Sequence, residues 1–239
     1  MRIEVQRVVE EDDAWQIYDV GGVDSLLWLY HQKMRQLKLK LPKASNITIL
    51  CCDVAQREQV EEIRHSFGAY PVYITTLNDN LSLLPAVLTE IEWALQSYDV
   101  MVFTDDIIRT LRDHVEAHEY VFSSQLMSEV NKPRSVRATL KVQIHSGDAE
   151  LILELFDVRE KRKFIQREPV IRLDPYEFVT SFPTSYRLSR QLYRLHWETM
   201  YTVDIIGWFG DRFRYRIYPT HDGRWVVHAD QLEQRRSER

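Results

Sequence analysis

The sequence predicts two domains: a Rossmann-like three-layer α/β domain with a mainly parallel sheet over residues 1–130, and an antiparallel α+β domain over residues 131–239. In the first part, short apolar runs alternate with helical patterns, which is typical of a parallel sheet covered by helices. After the polar segment Asn131–Arg134, short alternating runs are separated by turn residues, which favours antiparallel hairpins.

The charge divides at the same place. Residues 1–130 have 11 Lys and Arg against 21 Asp and Glu, a net charge of −10, whereas residues 131–239 have 20 against 15, a net charge of +5. This asymmetry indicates that the two parts have different partners or attract each other.

The first domain is predicted to begin with a hairpin around an acidic turn, followed by a helix that ends at Pro42. Strands and helices then alternate, which implies right-handed parallel crossovers. The predicted strands are Ile3–Val9, Trp15–Val20, Ile47–Cys52, Pro71–Thr76, Val100–Phe103 and Tyr120–Phe122, and the predicted helices cover about residues 24–41, 56–67, 83–96 and 107–117.

The second domain is predicted to be a set of antiparallel strands interrupted by one helix over Tyr186–Glu198. Gly-containing turns at residues 146–148, 210–211 and 221–223 separate the runs. The predicted strands are Val136–Ile144, Leu151–Phe156, Val170–Leu173, Tyr201–Phe209, Arg212–Tyr218 and Trp225–His228.

The two cysteines and the apolar runs indicate the compartment. Cys51 and Cys52 are adjacent on a predicted strand, so they point to opposite faces and a disulfide between them is not expected. No apolar run approaches the roughly 20 residues that span a bilayer, and the charged start is unlike a signal peptide. We therefore expect a cytoplasmic protein without a membrane partner.

Three carboxylates are candidate metal ligands. Asp53 follows one predicted strand, and Asp105 and Asp106 follow the strand Val100–Phe103. Because ligands bind at the carboxyl ends of strands in open α/β sheets, these side chains could gather and bind Mg²⁺. The alternative is that Asp105 or Asp106 only caps the helix that begins at Ile107.

In outline this layout resembles the Toprim fold, which pairs an acidic residue after one strand with an acidic pair after a later one. That fold has Glu at the first position and Asp-x-Asp at the second, whereas this chain has Asp53 and the contiguous Asp105 and Asp106. We do not assign the chain to that fold. The resemblance implies Mg²⁺-dependent chemistry on nucleotides or phosphodiesters.

Other catalytic patterns are missing. His114 and His118 are four residues apart on a predicted helix, but Glu116 stands where no zinc-protease motif places a glutamate. The sequence has no phosphate-binding glycine loop, no dinucleotide fingerprint and no nucleophile elbow. These absences count against a P-loop NTPase or a standard dinucleotide dehydrogenase. Whether the protein is an enzyme stays open, with a non-catalytic role favoured.

Six arginines in the basic part are candidate anion ligands. On the predicted helix, Arg187, Arg190 and Arg194 share one face, and on the predicted strand Arg212, Arg214 and Arg216 alternate with apolar residues. Like charges along one sheet face repel unless an anion lies over them. That anion could be a nucleic-acid backbone, an acidic partner, or acidic side chains of this chain.

These observations lead to one leading hypothesis and two alternatives. The first is a non-catalytic binding or regulatory protein that grips a polyanion, most plausibly nucleic acid, through the six arginines. The second is a Mg²⁺-dependent enzyme that acts on nucleotides or phosphodiesters through Asp53, Asp105 and Asp106. The third is an assembly subunit that binds an acidic protein partner.

Overall fold

The computed structural model describes residues 2–11, 14–20, 22–39, 46–62, 64, 71–76, 83–160, 163–173, 193–207 and 211–233. Within these residues the chain forms twelve β-strands and four α-helices. It divides into two compact units, of which the first runs to Phe122 and includes Ile144–Gly147. The second unit contains the other described residues from Ser123 onward.

The first unit contains a four-stranded mixed sheet. Its strands are β1 (Arg2–Glu11), β2 (Ala14–Asp19), β3 (Asn46–Cys52) and β4 (Val72–Thr76), in the order β2-β1-β3-β4. β1 and β2 form the predicted antiparallel hairpin, whereas β3 pairs in parallel with β1 and with β4. Consecutive residues Ile49, Leu50 and Cys51 of β3 are all buried, as expected for a parallel strand covered on both faces.

The helices of this unit largely follow the predicted apolar stripes. They are α1 (Asp24–Gln36), α2 (Arg57–Glu62, after a 3₁₀ turn at Val54–Gln56), α3 (Leu83–Tyr98) and α4 (Asp105–Ala117). Apolar residues at helical spacing, such as Leu88, Ile91 and Leu95 of α3, are buried. Burying such a stripe stabilises a helix that would be marginal in water by itself.

The prediction of a Rossmann-like three-layer domain is wrong. Its central strand, Val100–Phe103, is a turn between α3 and α4. The Asp99 carboxylate accepts hydrogen bonds from the amides of Met101 and Val102, both at 3.1 Å, and the Asp99 carbonyl accepts one from Phe103 at 2.8 Å. Met101 is 85% exposed, so the apolar run does not lie in a sheet. An Asp side chain that bonds to the following backbone offers the chain an alternative to a strand.

The second unit contains two four-stranded sheets in which consecutive strands are neighbours. One has the order β5-β6-β7-β8 and the other β12-β11-β10-β9. The strands are β5 (Phe122–Val130), β6 (Val136–Ile144), β7 (Ala149–Asp157), β8 (Lys163–Leu173), β9 (Tyr193–Thr199), β10 (Thr202–Gly207), β11 (Arg212–Pro219) and β12 (Trp225–Glu233).

Two predicted elements change in this part of the chain. The run Tyr120–Phe122 is not a fourth parallel strand, because only Phe122 is extended and it begins β5. The described part of the predicted helix Tyr186–Glu198 is strand β9, and residues 186–192 lie outside the described residues. In β9, buried Tyr193 and Leu195 alternate with exposed Arg194 and His196, which is the period of a strand.

The polar segment Asn131–Arg134, predicted to lie between domains, connects β5 to β6 within the second unit. Asn131 is buried, and its side-chain oxygen accepts hydrogen bonds from the amides of Ser135 (2.8 Å) and Val136 (3.1 Å). Its side-chain nitrogen donates to the carbonyl oxygen of Met200 at 2.9 Å. One asparagine therefore ties the β5–β6 turn to the β9–β10 turn.

Candidate interaction face

The arginines of β11 lie on one face of the sheet formed by β9–β12. The strand pairing places Arg214 between Asp204 of β10 and Asp230 of β12. The opposite face is apolar and buried, with Phe213, Tyr215 and Ile217 from β11. We call the outer surface the arginine face; its residues are Arg194, His196, Glu198, Thr202, Asp204, Ile206, Arg212, Arg214, Arg216, Tyr218, Val226, His228 and Asp230.

Acidic side chains of this chain neutralise the arginine row. The Asp204 carboxylate is fully buried and accepts hydrogen bonds from Nε of Arg212 (3.0 Å) and Nε of Arg214 (2.8 Å). Glu198, which is partly exposed, also pairs with Arg214 and lies 3.7 Å from Arg212. The expected repulsion between these guanidinium groups is therefore absent, because opposite charges stand across the strands.

The third arginine of the row has its own partner. Nη2 of Arg216 lies 2.5 Å from Oδ2 of Asp230. The hydrogen bond and charge of the Asp230 carboxylate raise the pKa of Arg216. The compensating acids thus lie in the same sheet as the arginines, whereas Glu154 of β7 pairs with Lys141 at 2.6 Å.

The structure does not gather the six candidate arginines into one described cluster. Arg194 is exposed on β9, opposite Ile206 of β10, and does not lie on a helix. Arg187 and Arg190 lie outside the described residues. The described arginines thus form one ion-paired row on β11 and one exposed neighbour on an adjoining part of the same face.

The end of the arginine face beyond Arg216 is an exposed group of aromatic and apolar side chains, which the neighbouring Met200 and Tyr201 extend. We call it the tyrosine patch: Met200, Tyr201, Tyr218, Val226 and His228. The ring of Tyr218 lies 6.3 Å from that of Tyr201 and 6.1 Å from that of His228, and both tyrosines are 37% exposed. Tyr218 is opposite Val226 in the β11–β12 pairing.

The tyrosine patch was missed in the sequence, although one signal was present. Tyr218 continues the alternation that places Arg212, Arg214 and Arg216 on one face. Tyr201 could not be assigned to that surface without the pairing of β10 with β11, in which the amide of Ile217 donates to the carbonyl of Tyr201 at 2.8 Å.

The three candidate metal ligands have separate surroundings. Asp53 follows β3 and pairs with Arg7 at 3.5 Å. Asp105 accepts a hydrogen bond from Gln96 at 2.7 Å, and Asp106 pairs with Arg109 at 3.4 Å. Among the described residues, no group of three or more His, Cys, Asp or Glu side chains is placed to hold a metal ion.

The beginning of α4 matches neither the expected metal site nor the expected cap by Asp105 or Asp106. Thr104 stands at the N-cap position, and Asp105 and Asp106 occupy the first turn. Carboxylates in a first turn interact favourably with the positive end of the helix dipole. The strand that would have brought these residues to a sheet edge is the turn described above.

His114 of α4 and His118, at the C-cap position of the same helix, contact each other at a ring distance of 4.3 Å. Nε2 of His114 lies 3.0 Å from the side-chain oxygen of Gln32, and Nδ1 of His118 donates to the His114 carbonyl at 2.7 Å. Burial, together with the nearby His118 and Lys33, lowers the pKa of His114 to about 4. These contacts occupy one nitrogen of each ring, which fits a structural pair.

Comparison of the chain with protein-family models, with curated proteins and with solved structures finds no match. Among the described helices, none has both the length and the apolar character needed to cross a bilayer.

Proposed function

We propose that this protein is a non-catalytic assembly subunit that binds a protein partner through the arginine face and the tyrosine patch. The observation that carries the proposal is the exposed, contiguous group of Tyr201, Tyr218 and Val226 beside the ion-paired arginines. Protein interfaces are enriched in Tyr, Met and Arg and depleted in Lys. No lysine is present among the residues of this surface.

The charge of the surface favours a partner that bears carboxylates. Among the side chains of this surface that the structure describes, four arginines stand against three acidic residues, Glu198, Asp204 and Asp230. One of these arginines, Arg194, is exposed at the β9 side. Exposed tyrosines beside arginines agree with the enrichment of Tyr and Arg among hot-spot residues.

The internal ion pairs make nucleic acid the less favoured partner. A phosphate that took both Arg212 and Arg214 from Asp204 would leave a buried carboxylate unpaired, at a cost of about 3–5 kcal/mol. The net charge of the whole chain, −5, adds long-range repulsion of a polyanion. The Mg²⁺-enzyme alternative has less support, since Asp53, Asp105 and Asp106 each have other partners.

Site-specific photocrosslinking in cells tests the proposal. Tyr218→p-benzoylphenylalanine places the crosslinker in the tyrosine patch, and Tyr18→p-benzoylphenylalanine is a matched control at an exposed tyrosine of β2. We expect a discrete protein adduct from position 218 and none of the same mass from position 18. Adding Arg194→Glu should reduce the yield at 218, because the new charge repels the partner's carboxylates.

Two results would overturn the proposal. One is a nuclease-sensitive adduct at position 218, which would restore the nucleic-acid hypothesis. The other is the absence of a discrete adduct from position 218 when the protein is folded and expressed at its natural level.

A further inference from the structure

A cleft of about 400 Å³ lies in the second unit, between the facing ends of β7 and β8 and the turn that connects β11 to β12. Its apolar walls include Phe164, Ile165 and Trp225. Its charged lining has the cations Lys163 and Arg224 beside the carboxylates of Asp157, Glu160 and Asp222. The cleft is separate from the residues of the tyrosine patch. Its volume lies within the range of about 300–1,000 Å³ that is usual for small-molecule sites.

A buried carboxylate holds Trp225 in place. Asp157 is 4% exposed, and it accepts hydrogen bonds from the indole Nε1 of Trp225 at 2.8 Å and from the amide of Arg159 at 2.9 Å. Burial alone would raise the pKa of Asp157, but these hydrogen bonds lower it. The Arg159 guanidinium lies 5.5 Å from the centre of the Trp225 ring. The indole is therefore oriented before any ligand arrives, which reduces the entropy lost on binding.

A second aromatic ring adds to this wall. Phe164 is 53% exposed at the start of β8 and packs edge-on against Phe156 at 5.7 Å. An exposed ring beside an oriented indole offers surface on which a planar ligand can stack. Stacking on an aromatic side chain is available to every nucleic-acid base, because each base has a π-face.

The cations at the edge are available to a ligand. Lys163 pairs with Glu160 and Arg224 pairs with Asp222, both at 3.2 Å, and the two cationic side chains are 71% and 85% exposed. Exposed ion pairs of this kind contribute little to stability, so a ligand phosphate can compete with the carboxylate. This distinguishes them from Arg212 and Arg214, whose shared partner Asp204 is buried.

We propose that this cleft binds a nucleoside monophosphate, with the base against Trp225 and Phe164 and the phosphate between Lys163 and Arg224. Two cations match a phosphate monoester, which carries about −1.5 to −2 charges at neutral pH, better than they match a single carboxylate. Gly223, one of the residues that line the cleft, has a φ of +79°, a left-handed conformation that favours glycine in this turn.

Fluorine NMR of the full chain labelled with 5-fluorotryptophan tests this assignment. The Trp225 resonance is identified by its loss in Trp225→Phe, and AMP, adenosine and inorganic phosphate are titrated separately. We expect AMP to shift the Trp225 resonance saturably, with a Kd below about 1 mM, and each of the other two probes to bind roughly tenfold more weakly or worse.

Charge variants test the contact with the phosphate separately from the contact with the base. Lys163→Gln with Arg224→Gln should raise the Kd for AMP at least about tenfold and leave the Kd for adenosine unchanged. Lys132→Gln, an exposed lysine of the β5–β6 turn, is the matched control and should bind AMP as the unmodified chain does.

The assignment is overturned if about 5 mM AMP leaves the Trp225 resonance unmoved, since that corresponds to an affinity too weak for a specific site. It is also overturned if the double variant, with an otherwise unchanged fluorine spectrum, binds AMP as tightly as the unmodified chain.

Discussion

At the residue scale, Asp204 determines the character of the arginine face. A fully buried carboxylate is costly unless it is paired and hydrogen-bonded. Asp204 meets both conditions, because Arg212 and Arg214 each donate through Nε and Nη2. The two guanidinium groups are thereby held against the same carboxylate.

Replacing Asp204 should change both stability and charge. We expect Asp204→Asn to lower the free energy of unfolding by about 2–4 kcal/mol, because a neutral amide cannot balance two guanidinium groups. The released charges should also increase retention on heparin at low salt. Denaturant titration and heparin chromatography measure the two effects.

Glu198→Gln is the matched control for that substitution, since Glu198 contacts the same arginines from a partly exposed position. Glu198→Gln should lower the free energy of unfolding by less than about 1 kcal/mol. Equal losses in the two variants would contradict the role assigned to the buried Asp204.

His114 should make stability fall with acid. Its pKa is lowered to about 4 in the fold, whereas in the unfolded chain it titrates near about 6.5. Between these values the unfolded state binds more protons, so this contribution is complete above about pH 6.5 and is lost as the pH falls toward 4.

Lowering the pH from about 7 to about 4.5 should reduce the free energy of unfolding of both proteins. We expect the reduction to be about 1 kcal/mol smaller in His114→Gln than in the unmodified chain, after allowance for partial solvent exposure. Urea titrations at both pH values measure the difference. His221→Gln, an exposed histidine of the β11–β12 turn, is the control and should follow the unmodified chain. Parallel losses in all three proteins would contradict the prediction.

At the element scale, a buried polar contact connects three helices of the first unit. Glu92 of α3 is buried and accepts hydrogen bonds from Nε of Arg112 on α4 at 2.9 Å and from the Tyr30 hydroxyl on α1 at 3.3 Å. Burial, reinforced by the Glu92 charge, raises the pKa of Tyr30, so its hydroxyl remains a donor. The Glu92 hydrogen bond likewise raises the pKa of Arg112.

Replacing Arg112 alone should lower the free energy of unfolding more than replacing both Arg112 and Glu92. Arg112→Met leaves Glu92 buried and uncompensated, and we expect a loss of about 3 kcal/mol in the free energy of unfolding. Combining it with Glu92→Leu should restore most of that loss, because apolar side chains of similar volume can replace a buried pair. Denaturant unfolding of both variants measures this coupling, and equal losses in the single and double variants would exclude it.

At the scale of the whole molecule, the chain consists of two compact units with different sheets and opposite average charge. The first unit combines a mixed sheet with all four described helices. The second is built from two meanders, and it contains both proposed binding surfaces. Substitutions in the first unit therefore lie outside both proposed binding surfaces.

Hydrogen exchange should reveal this separation. We expect Arg112→Met to reduce protection of amides in the first unit and Asp204→Asn to reduce protection in the second, because each side chain packs inside its own unit. Mass spectrometry of exchanged peptides locates the changes. Equal loss of protection throughout the chain in both variants would mean that the units unfold together.

Local pattern predicted many of the individual helices and strands correctly, although the predicted fold class was wrong. The β1–β2 hairpin, the strands β3 and β4, the helices α1, α3 and α4 and the alternation along β11 depend on neighbours in the sequence. A helix or strand that buries one stripe repeats its apolar residues at its own period, and such a period is readable without coordinates.

Two failures have local causes. At residues 100–103, four apolar residues have the pattern of a buried strand. The Asp99 side chain accepts hydrogen bonds from the following amides, and the segment forms a turn. At residues 193–199, a period of two was present in the sequence, but the spacing of arginines and leucines upstream favoured a helix. In short apolar segments, periodicity alone does not distinguish a strand from a helix or a turn.

The sequence by itself determined the apolar periods, the division of charge and the absence of phosphate-loop and nucleophile motifs. Only the tertiary structure decided that the sheets are not Rossmann-like, that Asp204 lies between two arginines, and that Tyr201 approaches Tyr218. The physical reason is that charge compensation depends on which residues stand opposite each other across strands. That pairing is set by the packing of the whole sheet and not by neighbours along the chain.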